Sequence, residues 1–351
     1  MEFSGTSLFK HQPCSLVTGA LGFVGLHLVR GLIMAGQSVV GFGRLEPGQV
    51  LPPSIGSFRL ARRHDTWPDA VLYEAEFGAF WFVSGALEDA AAIRDLVDRL
   101  RPVMIYHLAA QSSAAVSFAN PGDTFVSNVI GTLNLLEAVR AIPDTERPIV
   151  LSVGSAEEYG ARPETRPLAE TTPCDPVSPY GVSKLAQTAL CRQYARSYDL
   201  PIIMTRSFSH TGPGHDTRFA FPSFARQIAA AEAGRGPATI LTGDLSAVRD
   251  FLDVRDVVYA YRLLMKEGQP GEIYNVSSGS PLTIQHGLEI LVAQARCEVE
   301  IRQDPDRCRP SDIPYLVGDN RRLRAATGWS NEWHIEQTLA VLLEQAREEI
   351  S

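Results

Sequence analysis

Cys14-Ser-Leu-Val-Thr-Gly-Ala-Leu-Gly-Phe-Val-Gly25 is a short apolar run that breaks into glycines three residues apart. Apolar residues at helical spacing follow it, at Leu26, Val29, Leu32 and Ile33. Strand, tight turn and helix is the reading. Gly19, Gly22 and Gly25 let the backbone turn sharply and come close to a ligand, and the N–H groups that open a helix stabilise phosphate charge. After a strand, such a turn marks a dinucleotide pyrophosphate site, so the expected fold is α/β, a Rossmann-type doubly wound parallel sheet.

Outward from that stretch the pattern repeats. Ser38 to Phe42 reads as a second strand, and Gly43-Arg44 follows where NAD-binding folds commonly carry an acid for the ribose hydroxyls. An arginine there suits a 2′-phosphate, which favours NADP(H) and leaves NAD(H) as the alternative. Strands at Phe80 to Val83, Val103 to His107, Ile149 to Val153 and Pro201 to Arg206 alternate with helices near Ala90 to Leu100, through Asn128 to Arg140, and from Pro179 to Asp199. Residues 45–79 show no periodicity, and their conformation is left open. Beyond residue 208 the alternation loosens. Helices at Pro222 to Ala233 and Val257 to Met265, with strands near Thr239 and Ile273, read as a smaller C-terminal α/β substrate domain. The expected division is a polar tail at 1–13, a mainly dinucleotide-binding part at 14–208 and a mainly substrate-binding part at 209–351, with segments free to interleave.

Chemistry concentrates in two places. Ser178-Pro-Tyr-Gly-Val-Ser-Lys184 starts a helix with proline in its first turn and sets Tyr180 and Lys184 one turn apart on one face. An ammonium beside a phenol is expected to lower its pKa from about 10 toward the working range of an acid or base. Ser155 and Glu157 follow the fifth strand, at the carboxyl ends of the strands where ligands bind in doubly wound folds. Arg226, Arg249 and Arg309 recur beside turns in the C-terminal part, and guanidinium groups suit a diphosphate.

Composition limits the field. The chain has 351 residues, 45% hydrophobic content and a formal net charge of -8, which supplies a core and argues against general nucleic-acid or membrane-surface binding. No apolar run reaches the roughly 18 residues of a membrane span, and Met1 to Pro13 lacks the apolar centre of a secretory signal, so a cytoplasmic protein is expected. Five scattered cysteines offer neither a disulfide frame nor a metal-binding spacing.

With the glycine turn, Ser155 and Tyr-x-x-x-Lys in chain order, together with Tyr-His-Leu-Ala-Ala (106–110) and Asn-Val-Ile-Gly-Thr (128–132), the sequence resembles the nucleotide-sugar branch of the extended short-chain dehydrogenase/reductase family. That resemblance implies Tyr180 as acid/base, Lys184 supporting it and holding the nicotinamide ribose, and Ser155 bonded to a sugar oxygen. Gly19, Leu21, Gly22, Phe23, Val24, Gly25, Arg44, Leu108, Ala109, Ala110 and His210 would line the cofactor. Ser112, Ser209, Pro222, Arg226, Arg249 and Arg309 would meet the substrate. Ser209-His-Thr-Gly-Pro-Gly214, Pro222 to Ile228 and Arg249 to Asp256 are similar to reductases of GDP-4-keto-6-deoxy-hexoses, implying a GDP-sugar substrate and a homodimer. Glu157, at the position of a dehydratase base, keeps a 4,6-dehydratase open as the alternative, and the shared residues do not exclude an epimerase. A non-catalytic NADP-binding protein is a remote alternative. The chain departs from the family pattern at Ser209, where asparagine is usual, and at Ala86, where an acid is usual.

Overall fold

The computed structural model describes residues 13–45, 58–65, 67–163, 165–307 and 313–350. Arg309 and most of the N-terminal tail lie outside them. In chain order the first eight strands are β1 (Cys14–Thr18), β2 (Ser38–Gly43), β3 (Arg59–Arg63), β4 (Ala70–Ala75), β5 (Gly78–Ser84), β6 (Met104–His107), β7 (Ile149–Ser155) and β8 (Ile202–Ser207). They are followed by β9 (Ser209–Thr211), β10 (Thr239–Thr242), β11 (Val248–Asp253), β12 (Ile273–Val276), β13 (Pro281–Thr283), β14 (Glu300–Gln303) and β15 (Tyr315–Leu316).

One nine-stranded sheet runs β12-β8-β7-β6-β1-β2-β5-β4-β3. From β12 to β5 every pairing is parallel. Strand order reverses between β1 and β6, which opens the crevice where such sheets take ligands. Both faces are covered. Against one pack α1 (Phe23–Met34) and, from the C-terminal half, α8 (Val254–Glu267), through Leu28, Leu32, Val257 and Leu264. The other takes α2 (Ala90–Leu100), α5 (Gly131–Arg140) and α6 (Pro179–Tyr198), through Leu96, Leu135, Val139 and Cys191. Short helices α3 (Ala114–Ala119) and α4 (Pro121–Phe125) precede α5, joined to it by a π turn at Val126–Ile130.

The structure fills part of the stretch left open and moves two elements expected in the smaller body, the helix at Val257 to Met265 and the strand at Ile273, onto the large sheet. Part of the stretch left open, residues 45–79, forms an antiparallel extension in which β3 pairs β4 and β4 pairs β5. The strand at Ile273, expected in the smaller body, instead pairs parallel with β8 at the far edge of the large sheet. Its four residues are all buried, which a free strand could not achieve. The smaller body is built from α7 (Ala220–Glu232), α9 (Ile284–Val292) and α11 (Ile335–Ile350), whose apolar faces meet through Phe224, Ile228, Leu288 and Leu342. The β10–β14 pair and the strands around β11 complete it, while α10 (Arg321–Thr327) packs toward the large sheet.

Candidate active site

The glycine turn is shaped by close approach. Gly19 takes φ +71°, and a Cβ there would stand 2.8 Å from the Ala109 nitrogen across the crevice. A Cβ on Gly25 would meet the Gly19 oxygen at 2.1 Å, so only glycine lets α1 close onto the turn. Gly22 is exposed and extended at the helix N-cap, and no side chain caps it. The first N–H groups of a twelve-residue helix therefore face an open cradle, as a pyrophosphate requires. Leu21 is buried beneath it, and Phe23 and Val24 are half-buried.

A buried chain of hydrogen bonds fixes the opposite wall. The Thr132 hydroxyl donates to the Asn128 carbonyl (2.6 Å), so it accepts from His107 Nε2 (2.9 Å). His107 Nδ1 then accepts from the Thr18 hydroxyl (2.9 Å), which in turn accepts from the Ala109 N–H (3.2 Å). Burial, with the Lys184 charge nearby, lowers the imidazole to about 3, so His107 is a neutral spacer. Leu108, Ala109 and Ala110 are thereby held half-exposed along the crevice. Asn128 ties this loop to α6: its Oδ1 accepts from Gln111 N (2.7 Å) and its Nδ2 donates to Ser183 Oγ (2.9 Å). The sequence marked Asn128 only as a family landmark; its partners lie 17 and 55 residues away.

Ser155 ends β7, and Tyr180 and Lys184 occupy the first turns of α6. Ser178 caps that helix by accepting from Gly181 N (3.0 Å), while Ser117 Oγ accepts from Tyr180 N (3.0 Å). The Ser178 hydroxyl also donates to Glu157 Oε2 (2.9 Å), bringing this carboxylate to the helix start. Lys184 Nζ donates to the Val153 carbonyl (2.8 Å) and Gln187 Oε1 (2.9 Å), and burial lowers its pKa to about 8.

The phenol behaves contrary to the sequence expectation. Burial first, and the Glu157 charge second, push Tyr180 above its ordinary value, and the hydrogen bond with Ser155 offsets only part of this. Helical spacing sets Lys184 one turn from Tyr180, but its ammonium is turned to the end of β7. Tyr180 is therefore a protonated donor at neutral pH.

Beneath Ser155 lies a buried ion pair that the sequence did not single out. Glu158 is fully buried and Arg206 is 4% exposed, with Nε 3.0 Å from Oε2. Glu158 Oε1 accepts from Ser155 N (3.0 Å) and the Thr188 hydroxyl (3.1 Å), which joins β7, α6 and β8 at one carboxylate. Burial pushes this carboxyl upward, and Arg206 with the two donors pulls it back.

From the smaller body, β9 reaches the glycine turn. Phe23 stacks on His215 (centroids 4.4 Å apart) and lies parallel to His210 (6.1 Å). His210 is lowered by burial, and its Nδ1 lies 2.9 Å from the Phe208 carbonyl oxygen. Ser209 is half-buried beside it, while Ser112 is exposed. Pro222 is buried in α7 and Arg226 is exposed on it. Arg249 Nη1 donates to the carbonyls of Val248 (3.0 Å) and Ile313 (2.5 Å), which ties this end of its guanidinium to the backbone. Arg44 is ion-paired to Glu88 at 2.7 Å.

The family profile described as GDP-mannose 4,6 dehydratase matches residues 16–342. The chain is 38% identical to a Pseudomonas aeruginosa GDP-6-deoxy-D-mannose reductase over 243 residues, 69% of this chain and 79% of that protein. It is 32% identical to a Xanthomonas campestris dTDP-glucose 4,6-dehydratase, covering 94% of this chain and 92% of that one. Among solved structures, RMD from Pseudomonas aeruginosa complexed with NADPH superposes with a TM-score of 0.78 at 32% identity, covering 96% of this chain and 100% of that chain. The chain belongs to the GDP-mannose 4,6-dehydratase family, the NAD(P)-dependent extended short-chain dehydrogenase/reductases of nucleotide sugars.

Proposed function

We propose that this protein is an NADPH-dependent reductase of the 4-keto group of a GDP-4-keto-6-deoxy-hexose, converting GDP-4-keto-6-deoxy-D-mannose to GDP-D-rhamnose. The observation that carries this reading is the Tyr180 phenol hydrogen-bonded to the Ser155 hydroxyl at the end of β7. A carbonyl receiving a hydride develops negative charge on oxygen, and the catalyst it needs is a group still protonated at neutral pH. NADPH supplies the hydride when bound. Tyr180 gives its proton to the oxygen, Ser155 donates a second hydrogen bond, and Lys184 steadies the end of β7. The 38% identity to a GDP-6-deoxy-D-mannose reductase supports the same direction.

Glu157 supports the second reading, a 4,6-dehydratase, because Ser178 brings its carboxyl group to the start of α6, where it acts on Tyr180. GDP-mannose offered without added NADPH separates the two. The reductase is expected to leave it unchanged, and accumulation of a keto-sugar would overturn that assignment. Reduction of GDP-4-keto-6-deoxy-D-mannose with loss of NADPH absorbance is the positive result.

A second copy of the chain is assigned to the α4–α5 and α6 surface. Leu136 and Val139 of α5 are buried against the large sheet and are not available to it. Phe125, Val126, Ile130 and Val182 are exposed on the neighbouring turns, between 37% and 44%. Sedimentation at twice the chain mass is expected, reverting to the monomer in Ile130→Asp/Val182→Asp; an unchanged dimer would place the interface elsewhere.

A further inference from the structure

Arg44 directly follows β2, and Glu88 follows β5 in the loop that leads to α2. These strands pair in parallel, with Gly43 opposite Ser84, and Gly85 N donates to the Gly43 carbonyl at 2.9 Å. Gly19 N donates to the Phe42 carbonyl at 2.8 Å, so the ion pair sits on the rim of the glycine turn. The two partners are held differently. The Arg44 side chain is 65% exposed and that of Glu88 22%. The backbone that carries Glu88 is held from behind: Asn134 Nδ2 donates to the carbonyls of Leu87 (2.9 Å) and Glu88 (3.2 Å), and Asp89 next to it caps α2 by accepting from Ala91 and Ala92. The backbone at Glu88 is held, and Arg44 is the more exposed partner of the pair.

We propose that Glu88 sets the cofactor preference of this site: it shares Arg44 with the 2′-phosphate of NADP(H) and accepts a ribose hydroxyl of NAD(H), so the preference for NADP(H) is weaker than Arg44 alone would give. This rests on the glycine turn being the dinucleotide site. A phosphate drawn to Arg44 must come within a side-chain length of a carboxylate of like charge. Removing that charge favours the phosphate and leaves the hydroxyl a weaker, uncharged acceptor. For a half-exposed site, the combined effect on relative affinity is on the order of tenfold.

Equilibrium titrations following nicotinamide fluorescence, with NADPH and with NADH, test this without turnover. Glu88→Gln is expected to raise the NADPH:NADH affinity ratio about tenfold, and Arg44→Gln to lower it by a similar factor. A Glu88→Gln ratio within about twofold of wild type would overturn the role given to Glu88, since the like-charge term would then be absent. Failure of the wild type to bind either dinucleotide would overturn the cofactor reading itself, a result distinct from an unchanged ratio.

Discussion

Tyr180→Phe is expected to lower kcat for 4-keto reduction on the order of 100-fold or more, the usual scale for one positioned proton donor. NADPH binding is expected to stay at wild-type strength. The substitution keeps the ring that fills a site only 8% exposed and removes the hydroxyl that Ser155 orients. Turnover close to wild type would remove Tyr180 from the chemistry. The pH profile adds an independent check. Tyr180 stays protonated well above neutrality, so the first group to titrate on the alkaline side is Lys184, lowered to about 8 by burial. Below that value the ammonium is present, and above it the bonds to Val153 and Gln187 lose their charge. We expect kcat/KM to fall through about pH 8, and the fall to move upward in Lys184→Arg, whose guanidinium does not titrate in this range. A profile flat to pH 9.5 would refute the role given to Lys184.

Glu158→Gln is expected to cost about 3–5 kcal/mol of stability, because it leaves Arg206 charged and buried without its counter-ion. Arg206 has a carbonyl bond to Glu170 (3.1 Å) and lies over the Tyr159 ring, but neither replaces a carboxylate. The double change Glu158→Leu/Arg206→Met removes both charges at similar volume and is expected to recover most of that loss. Activity should not recover with it, since Ser155 N and Thr188 lose their common acceptor. Urea denaturation midpoints and kcat, measured on both variants, separate these effects. A single variant as stable as wild type would show that the pair is not the anchor of this corner.

The local parts of the site were readable from the chain alone. The Gly19 turn, the Ser178 cap and the spacing of Tyr180 and Lys184 are each written within a dozen residues, and backbone sterics and helical geometry fix what such segments become. Strand β3 was not readable. All its residues are exposed, so Arg59-Leu-Ala-Arg-Arg63 shows none of the alternation that marks a half-buried strand. For β12 the strand itself was evident and its partner was not, since the four residues Ile273-Tyr-Asn-Val276 do not state which sheet will bury them.

Electrostatic state divides along the same line. One helical turn between Tyr180 and Lys184 follows from covalent geometry, and the order of glycine turn, serine, tyrosine and lysine placed the chain in its family. The direction of the Tyr180 pKa depends on burial and on a Glu157 carboxylate carried there by Ser178. The state of Arg44 depends on Glu88, 44 residues away. Charges act through space and through the dielectric around them. Residue types and spacings could therefore be read from the chain, whereas their protonation and pairing came only from the packing of β2, β5, β7 and α6.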